Sequence, residues 1–379
     1  VVSAKELERH GKEVIYLNIG DPVKYGFDTP EHIKEALIKA VRDGSNGYSE
    51  SEGVPELREA ICEKEKKTSG IDISPENVMV TEGISEAIQM LMAALVDVGD
   101  EVLIPDPTYP SYTSYLKFFG GKPVSYKTVE EDEWQPDVDD IRSKITDETI
   151  GIVVVNPNNP SGALYGKKIL KEIADMAAEH SLLVISDEIY DRIVYEGAFT
   201  NISAVARDLP VVGLNGFSKT YLMTGWRLGY VYFHDPESRL VELRESMEKE
   251  ARIRLCANTP VQRAAIEAIE GPQDHIKDMV EKLRRRRNYV LKRLNEIKGI
   301  SCTKPKGAFY FFPKVDEIGS RWKDDKEFIL DFLEKEGVLL VHGSGFGASY
   351  GSGHFRGVFL PPKEVLEIAF DRLDRFLSS

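Results

Sequence analysis

Short runs of β-branched and apolar residues alternate along this chain with amphipathic helical windows, and that alternation constrains the fold more than any other feature. The runs are "NVMV" (Asn77 to Val80), "EVLIP" (Glu101 to Pro105), "IGIVVVN" (Ile150 to Asn156), "LLVISD" (Leu182 to Asp187), "VVGLN" (Val211 to Asn215) and "LGYVYF" (Leu228 to Phe233). Most are apolar throughout, as strands covered on both faces are. An α/β architecture around a mostly parallel central sheet is therefore predicted. Helical windows cover Ala4 to His10, Glu31 to Asp43, Ser85 to Val96, Lys167 to His180 and the charged stretch Pro236 to Glu270; after "GPQD" another runs from Ile276 to Ile297. Composition then shifts. The short strands "AFYFFP", "VLLVH" and "FRGVFL" and helices over Asp325 to Glu336 and Pro362 to Leu377 predict a second, smaller α+β domain. The expected division is 31–272 for the large α/β domain, with 1–30 and 273–379 forming the small one.

A chain of 379 residues, 42% of them hydrophobic, has ample material for a large core. Its formal charge of −14 offers no electrostatic footprint for nucleic acid or an anionic membrane, so small molecules are the expected partners. Cys62, Cys256 and Cys302 lie far apart and form no CxxC pair, which predicts neither a disulfide framework nor a zinc site and suits a reducing cytoplasm. Seven scattered histidines suggest no metal centre. The longest apolar stretches, Met90 to Val96 and Ile150 to Val155, fall short of the ~18 residues of a membrane helix, and the charged N-terminal stretch is expected to carry no signal peptide. No internal repeat, P-loop, HExxH or Gly-x-Ser-x-Gly motif is present.

In open parallel sheets, ligands bind outside the carboxyl ends of the strands. "VMV" is followed by Thr81-Glu82-Gly83-Ile84-Ser85, "IGIVVV" by the loop from Asn156 to Gly162, "LLVIS" by Asp187, Glu188 and Tyr190, and "VVGLNGF" by Ser218 and Lys219. Each has an ordinary explanation when taken singly: a strand cap, a turn, a helix start, a solvated lysine. Arg227 in "TGWRLGYVYF" and Arg356 in "HFRGVFL" have apolar neighbours, which predicts buried cations that need an anion, either a structural carboxylate or a ligand.

Taken together and in order, "NPNNPSG", "SDEIYD" and "SKTYLMTGWRLGY" resemble the signatures of class I, fold type I aminotransferases that use pyridoxal 5′-phosphate (PLP). The resemblance runs from "LNIGDP" through "GYSESEGVPELREAI", "TEGISEAI" and "PDPTYPSY" to "KPKGAFYFFPK" and "HFR", covering nearly the whole chain. "LNIGDP", "WQPDVDDIRSKIT" and "RLCANTPVQ" look most like the alanine aminotransferases of bacteria and archaea.

The resemblance implies a role for each matched residue. Lys219 would form the internal aldimine and then carry the proton between the substrate Cα and the cofactor, for which its amine must be neutral part of the time. Asp187 would pair with the pyridine nitrogen; a unit charge at ~4 Å and an effective dielectric of ~20 is worth roughly 4 kcal/mol, or about three pK units. Tyr190 and Asn156 would hydrogen-bond the ring's phenolic oxygen, and Tyr109 would stack on the ring. Gly83, Ile84 and Ser85 at a helix start, with Ser218 and Arg227, would hold the phosphate. Gly216 stands where many relatives have another phosphate-binding serine. Tyr48 would reach the phosphate of a neighbouring subunit, making the site a shared property of a homodimer. Arg356 would clamp the substrate α-carboxylate while the backbone at Gly20 closes over it, drawing the small domain inward. The implied activity is ping-pong transfer of an amino group between alanine and 2-oxoglutarate. An aspartate or broad-specificity aminotransferase and a PLP-dependent C–S lyase are the alternatives, since the same fold and lysine serve them all.

Overall fold

The computed structural model describes residues 1–206 and 208–379. Among these, eight strands form one sheet: β1 (Val78–Thr81), β2 (Glu101–Asp106), β3 (Lys122–Val129), β4 (Gln135–Pro136), β5 (Thr149–Val155), β6 (Leu183–Asp187), β7 (Val211–Gly216) and β8 (Gly229–His234). Their spatial order is β1-β8-β7-β6-β5-β2-β3-β4. From β7 to β3 every pairing is parallel; β8 runs antiparallel to both its neighbours, and β4 is antiparallel to β3. Gly229 at the start of β8 pairs with both Thr81 and Gly216, so the carboxyl ends of β1 and β7 meet at one edge of the sheet. The ends of β6, β5 and β2 lie along that same edge because those strands are parallel to β7.

Six strands form where the apolar runs predict them. β3 and β4 were not anticipated, and the reason is local. β3 exposes Lys122 and Ser125 in its first half, on opposite faces, and buries only Tyr126 and Thr128 in its second, so it lacks the continuous apolar run of a central strand. The stretch Pro236 to Glu270 is not one helix but two, Val241–Arg254 and Thr259–Glu270. The break is at Leu255, which takes φ +83, and Asn258 starts the second helix by accepting the Val261 N–H at its side chain. Helix Pro55–Ser69 was also unforeseen; it is rich in Lys and Glu, yet it buries Leu57, Ala60 and Ile61.

A second sheet joins Tyr310–Phe311, Phe355–Val358 and Val341–His342, all antiparallel. Helices Asp325–Glu336 and Lys363–Ser378 accompany it, and Phe311, Phe328, Phe332, Phe355, Phe370 and Phe376 fill the shared core. Burying each ring stabilises the fold by roughly 2–3 kcal/mol relative to exposure. Leu17 and Ile15 enter this core, and Ile15–Tyr16 pairs in parallel with Val338–Leu339, so the N-terminal segment packs with the C-terminal elements. Helix Asp274–Glu296 bridges the two regions: Ile276 packs in the core around β1 and β8, whereas Met279, Leu283, Val290 and Leu294 pack in the phenylalanine-rich one. Among the described residues, no helix is long and apolar enough to cross a membrane.

Candidate active site

A cavity of about 370 Å³ opens at the carboxyl edge of the large sheet, where the N-terminal segment and the C-terminal elements lie over it. Gly20, Ile84, Ser85, Tyr109, Asp187, Tyr190, Ser218, Lys219, Arg227 and Arg356 all line it. These residues come from beyond the ends of β2, β6 and β7, the helix start after β1, the turn before β8, the N-terminal segment and the smaller sheet, and the strand order described above brings the large-sheet members together.

Asp187 ends β6 and is buried. Its Oδ2 accepts from the Tyr112 hydroxyl at 2.8 Å and its Oδ1 from the Ile189 N–H at 3.2 Å. Burial pushes the carboxyl up to about 6, against the opposing pull of Tyr112, the Ile189 N–H and the Lys219 charge. Lys219 lies beyond β7, and its Nζ donates to the Gly20 carbonyl at 2.7 Å. Burial lowers this amine to about 8; Asp21 opposes the shift, and Arg356 and Arg227 reinforce it. A fraction of the amine is therefore neutral near physiological pH, as a nucleophile or a proton carrier requires.

One end of the cavity is built for an anion. Helix Ile84–Leu95 starts directly after β1, so its first N–H groups lack intrahelical partners. Arg227 stands beside it, with Nη1 donating to the Thr224 carbonyl at 3.1 Å and Nη2 to the Glu82 carbonyl at 3.3 Å. The sequence predicts a buried cation here, but Arg227 is exposed and donates to main-chain oxygens. The left-handed backbone at this residue, φ +53 and ψ 63, turns the side chain out of the apolar strand that follows. Gly83 takes φ +80, and a Cβ there would stand 2.5 Å from Arg227 Nη2, so the guanidinium reaches the helix start only past a glycine.

At the other end Arg356, 8% exposed, lies between the rings of Phe346 and Tyr310, whose centroids are 4.4 and 4.6 Å from its Cζ. Nη1 donates to Asn159 Oδ1 at 2.9 Å and Nη2 to the Asn18 carbonyl at 2.6 Å, while Nε is buried without a partner. No carboxylate among the described residues forms an ion pair with it. A buried guanidinium with an unused donor and no counter-ion has the chemistry to receive a carboxylate.

Asn156 is a correction. It does not line the cavity: its Oδ1 accepts the Tyr165 N–H at 2.9 Å, which commits the side chain to holding the loop after β5. Asn159, later in the same "NPNNPSG", lines the cavity instead and touches Arg356. Tyr48 is 82% exposed and lies outside the cavity. Tyr112, Tyr310 and Asn18, which also bear on the site, stand inside the motifs "PDPTYPSY", "KPKGAFYFFPK" and "LNIGDP" without a local signal of their contacts. Tyr310 places its hydroxyl 2.8 Å from that of Tyr190.

A lysine amine, a buried acid and an anion receptor at each end form the set that PLP and an amino acid substrate require. The model of the family of aminotransferases of class I and II matches residues 12–373. The chain belongs to this family. As an aminotransferase of this type it is PLP-dependent, and the residues fit that cofactor: an exposed arginine and a helix start suit the phosphate, and Asp187 suits a ring nitrogen that must stay protonated. It is 41% identical over 99% of its length to the glutamate-pyruvate aminotransferase AlaA of Escherichia coli strain K12, of which it covers 93%. Among solved structures it resembles an alanine aminotransferase from Pyrococcus furiosus, with 57% identity, a TM-score of 0.97 and coverage of 100% of this chain and 95% of that one. A double mutant of the Thermus thermophilus aspartate aminotransferase is 36% identical, with a TM-score of 0.90 over 99% of this chain and 94% of that one.

Proposed function

We propose that this aminotransferase moves the amino group between alanine and 2-oxoglutarate in two half-reactions at the Lys219 cavity. The observation that carries the reading is the unpaired, buried Arg356 facing the same space as the depressed amine of Lys219. Among the described residues lining the cavity the cations are Lys219, Arg227 and Arg356. With Arg227 at the phosphate and Lys219 reacting, Arg356 remains to receive the α-carboxylate that alanine, glutamate and their oxo acids share. The names of the E. coli and P. furiosus relatives support the same pair of substrates.

When bound, PLP supplies the carbonyl that takes up the amino group and a ring that withdraws electrons from the substrate Cα. The chain's own residues do the rest. Lys219, neutral for part of the time, removes and returns the Cα proton. The Asp187 carboxylate, held by Tyr112, keeps the ring nitrogen protonated. Tyr109 covers the ring, and Tyr190 donates to its phenolic oxygen. Ser85, Ser218, the helix start at Gly83 and Arg227 orient the phosphate. Arg356, aligned by Asn159, orients the substrate carboxylate so that its Cα faces the lysine. In this reading residues 1–30 and 273–379 form a small domain that closes over the substrate and excludes water. The exposed Tyr48 completes the phosphate site of a second copy, so that the working unit is a homodimer. The free thiols suit a reducing, cytoplasmic setting.

Single-turnover absorbance of the cofactor-loaded enzyme with one amino donor at a time tests this. Alanine and glutamate should convert the cofactor to its amine form, and aspartate should do so far more slowly. Faster conversion by aspartate overturns the assignment in favour of the aspartate-type reading. Pyruvate and ammonia released from cysteine conjugates without an oxo-acid acceptor would place the chain with the lyases.

A further inference from the structure

Tyr310 supplies no chemistry to the reaction proposed above, yet it touches three parts of the cavity. It lies on the strand Tyr310–Phe311 opposite Val358, two residues along from Arg356 on the neighbouring strand. Its side chain is buried, its ring packs against the Arg356 guanidinium, and its hydroxyl is 2.8 Å from that of Tyr190. A side chain at Gly20 would collide with that hydroxyl and come within 2.9 Å of the Phe309 ring.

We propose that Tyr310 is a positioning residue that links the two ends of the substrate site: its hydroxyl donates to Tyr190 and turns the Tyr190 proton toward the cofactor's phenolic oxygen, while its ring fixes Arg356 for the substrate carboxylate. The proposal rests on the reading of the cavity given above. Each phenol has one proton to give, so if Tyr190 is to donate into the cavity it must accept from its buried neighbour. The charged groups acting on Tyr190 are Arg356 and Asp187, and those acting on Tyr310 are the same two. Burial keeps both phenols protonated, so one O–H always remains between the rings. The cation against the Tyr310 ring makes that O–H the more acidic of the two and the better donor. A hydroxyl that accepts one hydrogen bond gives a stronger one in turn.

The test is the pH titration of the cofactor's visible absorbance in the loaded enzyme without substrate. Tyr310→Phe keeps the ring and removes the hydroxyl; it weakens Tyr190 as a donor to the phenolic oxygen, which disfavours the deprotonated form of the chromophore. The midpoint should rise by about half to one pH unit, with KM for the amino donor unchanged. In a Tyr190→Phe background the same substitution should move the midpoint no further. Tyr310→Leu, which also loses the ring, should raise KM by roughly 5- to 30-fold through Arg356. A Tyr310→Phe midpoint equal to that of the wild type, or a shift that persists in the Tyr190→Phe background, overturns the coupling and leaves the proposed function standing. If Tyr190→Phe itself moves nothing, the placement of Tyr190 at the ring is wrong and the proposal falls with it.

Discussion

Replacing Gly83 by alanine probes the anion-binding end of the cavity through the backbone alone. Gly83 holds φ +80 and ψ 166, a region that residues with a Cβ occupy at a cost of about 1–3 kcal/mol. The added methyl group would stand 2.5 Å from Arg227 Nη2 and 3.0 Å from its Cζ. These atoms end a flexible, exposed side chain, so the guanidinium gives way before the fold does. Its displacement breaks the Nη2 bond to the Glu82 carbonyl and takes the cation away from the helix start. A charge-assisted contact from an exposed arginine to a phosphate is screened by solvent and contributes about 1–2 kcal/mol. At about 1.4 kcal/mol per decade, Gly83→Ala should weaken cofactor binding roughly 5- to 30-fold in addition to lowering stability. Gly70 is the control, with φ +73 at the end of helix Pro55–Ser69 and nothing within 4 Å of an added Cβ. Gly70→Ala should cost about 1–2 kcal/mol of stability and leave cofactor affinity untouched. Fluorescence titration of the cofactor-free proteins, with thermal unfolding alongside, separates the two effects. A Gly83→Ala protein that melts lower but binds the cofactor within about twofold of the wild type would refute the reasoning.

Asn159→Ala removes an acceptor from the buried Arg356 and should raise KM for the amino donor roughly 5- to 30-fold, whereas Asn156→Ala leaves the Tyr165 N–H unpaired and should cost about 1–3 kcal/mol of stability with KM unchanged; steady-state kinetics and denaturant unfolding that reverse this ranking contradict the site. The rate at which the cofactor-free chain attaches PLP should rise with pH to a half-maximum near 8, because the Lys219 amine is depressed from 10.5 to about 8; a half-maximum near 10 would mean the amine is solvated. By linkage, this depression contributes stability that is fully present above about 10.5 and is lost as pH falls through about 8. Asp187 runs the other way in the cofactor-free chain. Its raised value favours the folded state below about 4, and that contribution is lost as pH rises through about 6, which unfolding measured across this window would reveal.

The parts of the fold legible in the sequence are those where burial on both faces leaves an unbroken apolar run, as in β5 and β6. β3 escapes because its first half is partly exposed on both faces, so Lys122 and Ser125 interrupt the run. The break at Leu255 is itself a backbone dihedral with no sequence mark, although Asn258 and Pro260 mark the start of the second helix. At the site, topology puts Asp187 and Lys219 beyond strand ends, but it is the resemblance of the surrounding motifs to aminotransferases that implies their roles. Choosing between Asn156 and Asn159 required knowing which side chain the loop keeps for its own Tyr165 N–H, and that depends on three-dimensional contacts. The apolar neighbours of Arg227 predict burial, yet its own left-handed backbone turns it outward. Tyr112 and Tyr310 act through another residue, Asp187 or Tyr190, and partners far apart in the chain leave no local pattern.

The central claim is that one amine, on Lys219, holds the cofactor. Borohydride reduction of the loaded enzyme fixes the cofactor to whichever lysine carries it, and peptide mass mapping then reads the position. The account predicts the added mass on the peptide containing Lys219 and its complete loss in Lys219→Ala. A label on any other lysine, or full labelling that survives that substitution, would contradict it.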